Sequence, residues 1–234
     1  MKIAIMQPYF FPYIGYFQLM KAVDEFILYD NIQFSKSSWI NRNRILMNGK
    51  DILITVPLHK DSDFVNIKDR YLADNWAVVR VKMLNKIREA YRKAPFFGQV
   101  FPLIQKCIEF DENNLFRFIL NSIRQVAGYC GIKSKIMISS SIPHNEKLRS
   151  AKRIISICKS RNASTYINPV GGLQLYTKDV FEKAGIILYF LRTSEIRYQQ
   201  FQNNFVPLLS IIDTMMFNSK EQINEYLTSC YTLI

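Results

Sequence analysis

The run KIAIMQPYFFPYIGYFQLMKAVDEFILYD, near the start of the chain, limits the fold more than any other segment. Lys2 to Met6 and Glu25 to Tyr29 are short, almost uninterrupted apolar stretches, the pattern of strands buried on both faces of a sheet. Between them, Gly15 to Val23 carries Phe17, Met20 and Val23 at helical spacing. Strand, helix and strand in so few residues make a βαβ unit, whose crossover is right-handed in nearly all sheets. The first strand is therefore a parallel one.

The same alternation returns near the C-terminus. STYINP reads as a strand, GGLQLY as a loop, Lys178 to Ala184 as a helix stopped by Gly185, and IILYFL as another strand. Pro207 to Phe217 and Lys220 to Leu227 read as closing helices. Asp51 to Val56, closed by Pro57, adds a strand near the middle. The centre is helical: WAVVRVKMLNKIREAYRK places Val81, Leu84, Ile87 and Tyr91 on one stripe, and a second helix covers Leu115 to Ala127, with Gly128 or Gly131 as its stop. Ile136 to Ser139 is a short strand, and Asn145 to Lys159 a helix with Leu148, Ala151, Ile155 and Cys158 inward. This order predicts one α/β domain over residues 1–234. Its sheet is mainly parallel and Rossmann-like (HUP-like), with helices on both faces and a helical insertion at about 74–131. Ligands of such sheets bind beyond the C-terminal ends of the strands. That places QPYFFPYIGYF at the ligand edge.

Composition narrows the class. With 49% apolar and 21% charged residues the chain is globular. It has no signal-peptide pattern and no apolar run that could span a bilayer, so a cytoplasmic protein is expected. Cys107, Cys130, Cys158 and Cys230 are scattered and read as reduced core thiols. His59 and His144 are the only histidines, so no metal site is expected. GxSxG, Cys–His and Walker A signatures are absent. The net charge of +12 concentrates in 36–50, 80–93 and 133–161. It reads either as solvated helix faces or as attraction for a phosphate-bearing ligand. Without an RNA motif or basic tail, a nucleotide is favoured over a polymer.

Within the first loop, Tyr13-Ile14-Gly15-Tyr16 stands after the first strand and at a helix start. It resembles the HxGH motif of nucleotidyltransferases and class I aminoacyl-tRNA synthetases in its setting. The glycine lets a ligand lie close to the backbone, and the helix start offers free N–H groups to an anion. Tyrosine replaces both histidines, however, and cannot become a cation near neutral pH.

A broader resemblance covers essentially the whole chain. MQPYFFPYIGYFQLMKAVDEFILYDNIQFSKSSWINRNRI, YINPVGGLQLY and FVPLLSIIDTMMFN are similar to blocks of the WbqC-like proteins, which occur in bacterial polysaccharide and O-antigen gene clusters. The resemblance implies a role in lipopolysaccharide biosynthesis: a transferase adding an amino-acyl or acyl group to the amino group of a nucleotide-linked amino sugar. No cofactor is implied beyond an activated donor, and aminoacyl-tRNA stays open as that donor. The alternatives are a nucleotidyltransferase-like enzyme with a degenerate HxGH loop, and a non-catalytic nucleotide-sugar or tRNA-binding protein.

Candidate site residues follow from the polar blocks. In the first loop, Gln7, Tyr9, Tyr13, Gly15 and Tyr16 offer hydrogen-bonding groups and apolar walls on a backbone stiffened by Pro8 and Pro12. DNIQFSKSSWINRNRI adds Asp30, Gln33, Lys36, Trp39, Asn41, Arg42, Asn43 and Arg44. If extended, it puts Asn41 and Asn43 on one face to read a sugar or base. Arg42 and Arg44 then share the other, to clamp a diphosphate together with Lys36. The other reading of this block is a solvated hairpin with an edge tryptophan. Asp30 and loop residue His59 are candidate proton acceptors. Gly171 and Gly172 could approach a ligand through their backbone, with Tyr176 as a wall. Ser210 and Asp213 share a helix face and suit either a buried network or a site.

Overall fold

The computed structural model describes residues 1–62, 64–144, 147–202 and 204–234. β1 (Lys2–Met6), α1 (Ile14–Lys21) and β2 (Glu25–Leu28) form the expected βαβ unit, with Ile3 opposite Glu25 and Met6 opposite Leu28 in parallel register. β3 (Arg42–Met47) and β4 (Lys50–Thr55) make an antiparallel hairpin away from the main sheet. Its tight turn uses Asn48 and Gly49 at positive φ, the pair that two-residue hairpins favour. Three helices follow: α2 (Trp76–Tyr91), α3 (Phe97–Ile108) and α4 (Leu115–Tyr129). The chain then returns to the sheet through β5 (Lys135–Ile138), α5 (Ser150–Ser160), β6 (Thr165–Pro169), α6 (Lys178–Glu182) and β7 (Ile187–Thr193). It closes with α7 (Ile211–Phe217), α8 (Lys220–Ser229) and β8 (Tyr231–Leu233).

The main sheet has the order β5-β2-β1-β6-β7-β8, parallel except for β8, which pairs antiparallel with β7 at the edge. Counting only its own strands in chain order, this is 3-2-1-4-5-6, the order of doubly wound Rossmann folds. The order reverses between β1 and β6. The fold is therefore Rossmann-like α/β, as the alternation of apolar runs implied.

Alternation along the strands feeds two cores. Ala4, Phe26, Leu28, Ile167 and Leu191 pack with α1, α7, α8 and the three middle helices. Ile3, Ile5, Ile27, Tyr166, Leu188 and Phe190 face α5 and α6. Burial pushes the thiols of Cys107, Cys130 and Cys158 up to about 12, so they remain protonated.

Several expectations need correction. Val81 is exposed, because the buried stripe of α2 runs through Trp76, Met83, Leu84, Ile87 and Tyr91 and leaves Val81 on its flank. The helix expected from Asn145 begins at Ser150; Leu148 precedes it, and Ile154, Ile157 and Cys158 are its buried apolar residues. Asn145 and Glu146 lie outside the described residues. α7 begins at Ile211 rather than Pro207, since Leu208 takes a left-handed φ of 57° that a helix does not admit. α3 and β8 had no expected counterpart.

At the opposite end of the sheet from the expected ligand edge, Glu25 is locked to Arg161 by two hydrogen bonds of 2.9 and 2.7 Å. Those bonds, with the nearby Lys135, hold its carboxyl below the usual range. A depressed folded value means that the contribution is present above the unfolded value and is lost as pH falls through the folded one. Glu25→Gln is expected to cost about 1–2 kcal/mol at neutral pH, the worth of charge-assisted bonds to a partly exposed partner. The difference from the parent should shrink between about pH 5 and pH 3. Urea unfolding at several pH values checks both.

Candidate functional site

The C-terminal ends of β1, β6 and β7 open into a cavity of about 680 Å³, at the point where the strand order reverses. This is where doubly wound sheets hold ligands, and the volume lies within the range of small-molecule sites.

The first loop forms one wall and is tied down from behind. Phe10 and Phe11 are fully buried, and Phe11 takes a left-handed φ of 41°. The Asn43 amide, from β3, donates to the carbonyls of both, each at 2.9 Å. Ser210 Oγ donates to Phe11 O at 2.7 Å, Ile211 N–H to Pro12 O at 3.0 Å, and Phe10 N–H to Trp39 O at 3.1 Å. With those anchors inward, Tyr9, Tyr13, Ile14 and part of Tyr16 line the cavity. Burial raises the hydroxyls of Tyr9 and Tyr13, and raises that of Tyr16 well above the ordinary tyrosine value. All three stay neutral donors. Tyr16 already donates to Gln7 O at 3.0 Å, so the second aromatic of the HxGH-like stretch is turned into the protein.

Gly15 has a packing role. A Cβ there would stand 2.7 Å from Thr193 Oγ1. Thr193 is itself held, donating at 2.7 Å to Gln18, whose amide donates to the Tyr226 and Cys230 carbonyls. Gly15→Val would therefore disturb the α1–β7 contact before it touched a ligand.

The remaining walls are largely apolar. Trp39 and Arg44 come from the hairpin region, Pro169 and Val170 from the end of β6, and Leu191 to Ile196 from β7 and beyond. Tyr198, Phe205 and Pro207 to Leu209 close the far side. Two cations reach this surface. Arg44 pairs with Asp51 at 3.0 Å, donates to Leu208 O at 3.2 Å and lies 5.6 Å from the Trp39 ring centre. Its Nε is buried without a hydrogen bond. Arg192 is exposed and has no ion pair among the described residues. Glu195 is the cavity's one carboxylate among the described residues, and it pairs with Arg197 at 2.6 Å.

Behind the cavity lies a buried network. Asp213 accepts hydrogen bonds from Tyr91 Oη and Tyr198 Oη, each at 2.8 Å, and from Gln200 Nε2 at 2.6 Å. Burial raises its carboxyl above the usual range, against the lowering effect of the three donors. Tyr91 Oη in turn accepts from Leu46 N–H. Asp213 thus joins α7, α2, β3 and the cavity wall at Tyr198.

Of the residues singled out in the sequence, Tyr9, Tyr13, Gly15, Tyr16, Trp39, Asn43 and Arg44 meet at this cavity. The others do not line it. Asp30 belongs to the same sheet edge, where Tyr29 N–H reaches Met6 O, but its carboxylate accepts from Ser140 N–H at 2.9 Å and Ser140 Oγ at 2.6 Å. His59 sits in another depression with Nε2 3.3 Å from Asp74. Lys36, Asn41 and Arg42 line a separate pocket by the hairpin, and the Asn41 amide donates to Val56 O. Gln33 bridges to Asn66, and Gln7 offers its carbonyl to Tyr16. Gly172 lies directly under the Asn168 amide, while Tyr176 packs on Tyr166 and Phe181. The loop after β6 reaches the cavity only through Pro169 and Val170.

The model of the WbqC-like protein family matches residues 7–225, most of the chain and every residue lining this cavity except Met6. The chain belongs to the WbqC-like family. A Mycobacterium tuberculosis relative, described as the uncharacterized protein Rv1507c, is 28% identical over 233 residues, covering 98% of each chain. No solved structure matches. Among the described residues of this WbqC-like protein, no helix is long and apolar enough to cross a membrane.

Arg192, Glu195 and Tyr198 went unnoticed in the sequence, although a signal was there. RTSEIRY begins in the last two residues of a strand that runs parallel to β6, and the rule that ligands gather at C-terminal strand ends applies to it as much as to the first loop.

Proposed function

We propose that this protein is a transferase that adds an acyl or amino-acyl group to the amino group of a nucleotide-linked amino sugar. Membership of the WbqC-like family and the form of the cavity support this reading. The observation that carries it is the pairing of aromatic walls with two arginines at the strand-order reversal. Trp39, Tyr9 and Tyr13 supply flat apolar surface for a base or sugar ring, with hydroxyls able to donate to sugar oxygens. Arg192 and Arg44 supply cations for the diphosphate.

In the transfer step the sugar amine attacks the donor's carbonyl carbon. The new C–N bond forms, the bond from that carbon to the donor's leaving group breaks, and the amine gives up a proton. We assign that proton to Glu195, the cavity's one carboxylate among the described residues; Asp30, bonded to Ser140, and His59, beside Asp74, do not line the cavity. The cavity does not favour adenylyl transfer, since Tyr16 is committed to Gln7 O.

Thermal unfolding with UDP- and dTDP-linked amino sugars, ATP with magnesium, and bulk tRNA separates the readings. A rise in midpoint with the amino-sugar nucleotides is expected, as for any ligand that binds only the folded state. Stabilisation by ATP with magnesium or by tRNA, and not by the sugar nucleotides, would overturn the proposal.

A further inference from the structure

A second pocket, of about 330 Å³, lies beside the β3–β4 hairpin and is lined by none of the residues of the cavity described above. Arg42, Lys60 and Arg70 line it, and none of them forms an ion pair with a carboxylate among the described residues. Asp61 also lines the pocket, but its carboxylate accepts from Ser62 N–H at 2.6 Å.

Arg70 is the telling residue. It is only 3% exposed, yet among the described residues its positive charge meets no acid. Nη2 donates to Ser62 O at 2.7 Å, the guanidinium lies 4.8 Å from the Phe34 ring centre, and Nε has no hydrogen bond at all. Burying a guanidinium is costly unless a counter-charge or a full set of acceptors offsets the lost hydration. Arg42 is fixed in a similar way. Nε donates to Ser38 O at 3.1 Å and Nη2 to Ser37 O at 2.8 Å, which holds the side chain in one place. Backbone carbonyls orient both guanidiniums without neutralising them. Two pre-positioned forks beside the Lys60 ammonium match the oxygens of a phosphate group, and the two guanidiniums lose little ordering entropy on binding.

We infer that this pocket, separate from the aromatic cavity, is a binding site for the phosphate or diphosphate group of a small phosphorylated ligand. Its volume stands at the lower end for small-molecule sites, so it holds the phosphate end and leaves the remainder of the ligand outside. The two sites adjoin through Trp39, whose ring centre is 5.8 Å from the Arg42 guanidinium and 5.6 Å from that of Arg44. The inference does not rest on the transferase reading, because it concerns different side chains and a different probe.

Calorimetric titration at low salt tests it, with inorganic phosphate, pyrophosphate, ADP, UDP and polymeric RNA as probes. The variants are Arg42→Met, Lys60→Met and, as a control on the exposed side of α2, Lys82→Met. Arg70 is left in place because its burial makes a folding defect the expected outcome. Pyrophosphate should bind the parent protein, and each of the first two variants should weaken it about tenfold, the worth of one charge-assisted hydrogen bond. The control should bind like the parent. Tighter binding of ADP or UDP with the same losses assigns the group to a nucleotide, and equal affinity assigns it to the phosphate alone; either supports the site. Absence of pyrophosphate binding, an equal loss with Lys82→Met, or binding confined to polymeric RNA would overturn it.

Discussion

Asp213→Ala lowers the unfolding free energy by about 3–5 kcal/mol, the order expected when a buried hydrogen-bond network loses the acceptor shared by three donors. The substitution takes the shared acceptor from Tyr91 Oη, Tyr198 Oη and Gln200 Nε2, at a carboxylate that is itself fully buried. The loss spreads because Tyr91 also holds β3 through Leu46 N–H and Gln200 braces the backbone at Val206. Asp213→Asn keeps the shape and one acceptor oxygen, so it should cost less than half as much. Denaturant midpoints of the two variants check the order.

The pH response of the same residue gives a separate test. Burial raises the folded carboxyl above its unfolded value. Its stabilising contribution is therefore fully present below the unfolded value, about 3.9, and declines as pH rises through the folded one. Asp213→Asn, which cannot ionise, should regain stability relative to the parent across that interval. A gap between the two proteins that widens with rising pH would show that the carboxylate is better accommodated than its burial implies.

The sequence exposed this fold unevenly, for physical reasons. β1, β2, β6 and β7 are buried on both faces, so each appears as a compact apolar run, and their parallel order follows from the helices between them. β8 has only three residues at an edge, two of them exposed, and nothing in Tyr-Thr-Leu distinguishes it from the end of a helix. α3 was obscured by Pro102, which usually ends a helix. Its buried face of Val100, Phe101, Ile104, Cys107 and Ile108 outweighs that local cost.

The site was half legible. Tyr9, Tyr13, Trp39 and Arg44 stood out through unusual composition, and they do converge. Alternation in a strand puts Arg42 and Arg44 on one face, which by itself suggests a single clamp. Side-chain reach separates them: Arg42 folds back onto the carbonyls of Ser37 and Ser38, while Arg44 extends to Asp51 and Leu208. Arg70 comes from a stretch with no sequence pattern around it. Only the fold carries it beneath Phe34 and beside the hairpin.

Arg192→Met should weaken binding of a nucleotide-linked amino sugar by about 1.5–3 kcal/mol, the worth of a hydrogen bond to a charged group. Stability should stay within about 0.5 kcal/mol, as for an exposed residue free of structural contacts. Arg192 is suited to this test because it reaches the cavity from the end of β7 and makes no ion pair among the described residues. Among the described residues, none loses a side-chain hydrogen bond or ion pair when it is removed. Arg44→Met is the instructive contrast. That side chain also anchors Leu208 O and pairs with Asp51, and Leu208 is part of the cavity wall. Its loss should lower both affinity and the unfolding midpoint. Calorimetry on the two variants, alongside their thermal unfolding, separates a ligand contact from a wall support. If Arg192→Met binds the sugar nucleotide as tightly as the parent protein, the diphosphate does not lie against β7, and the orientation proposed for the ligand in this cavity is wrong.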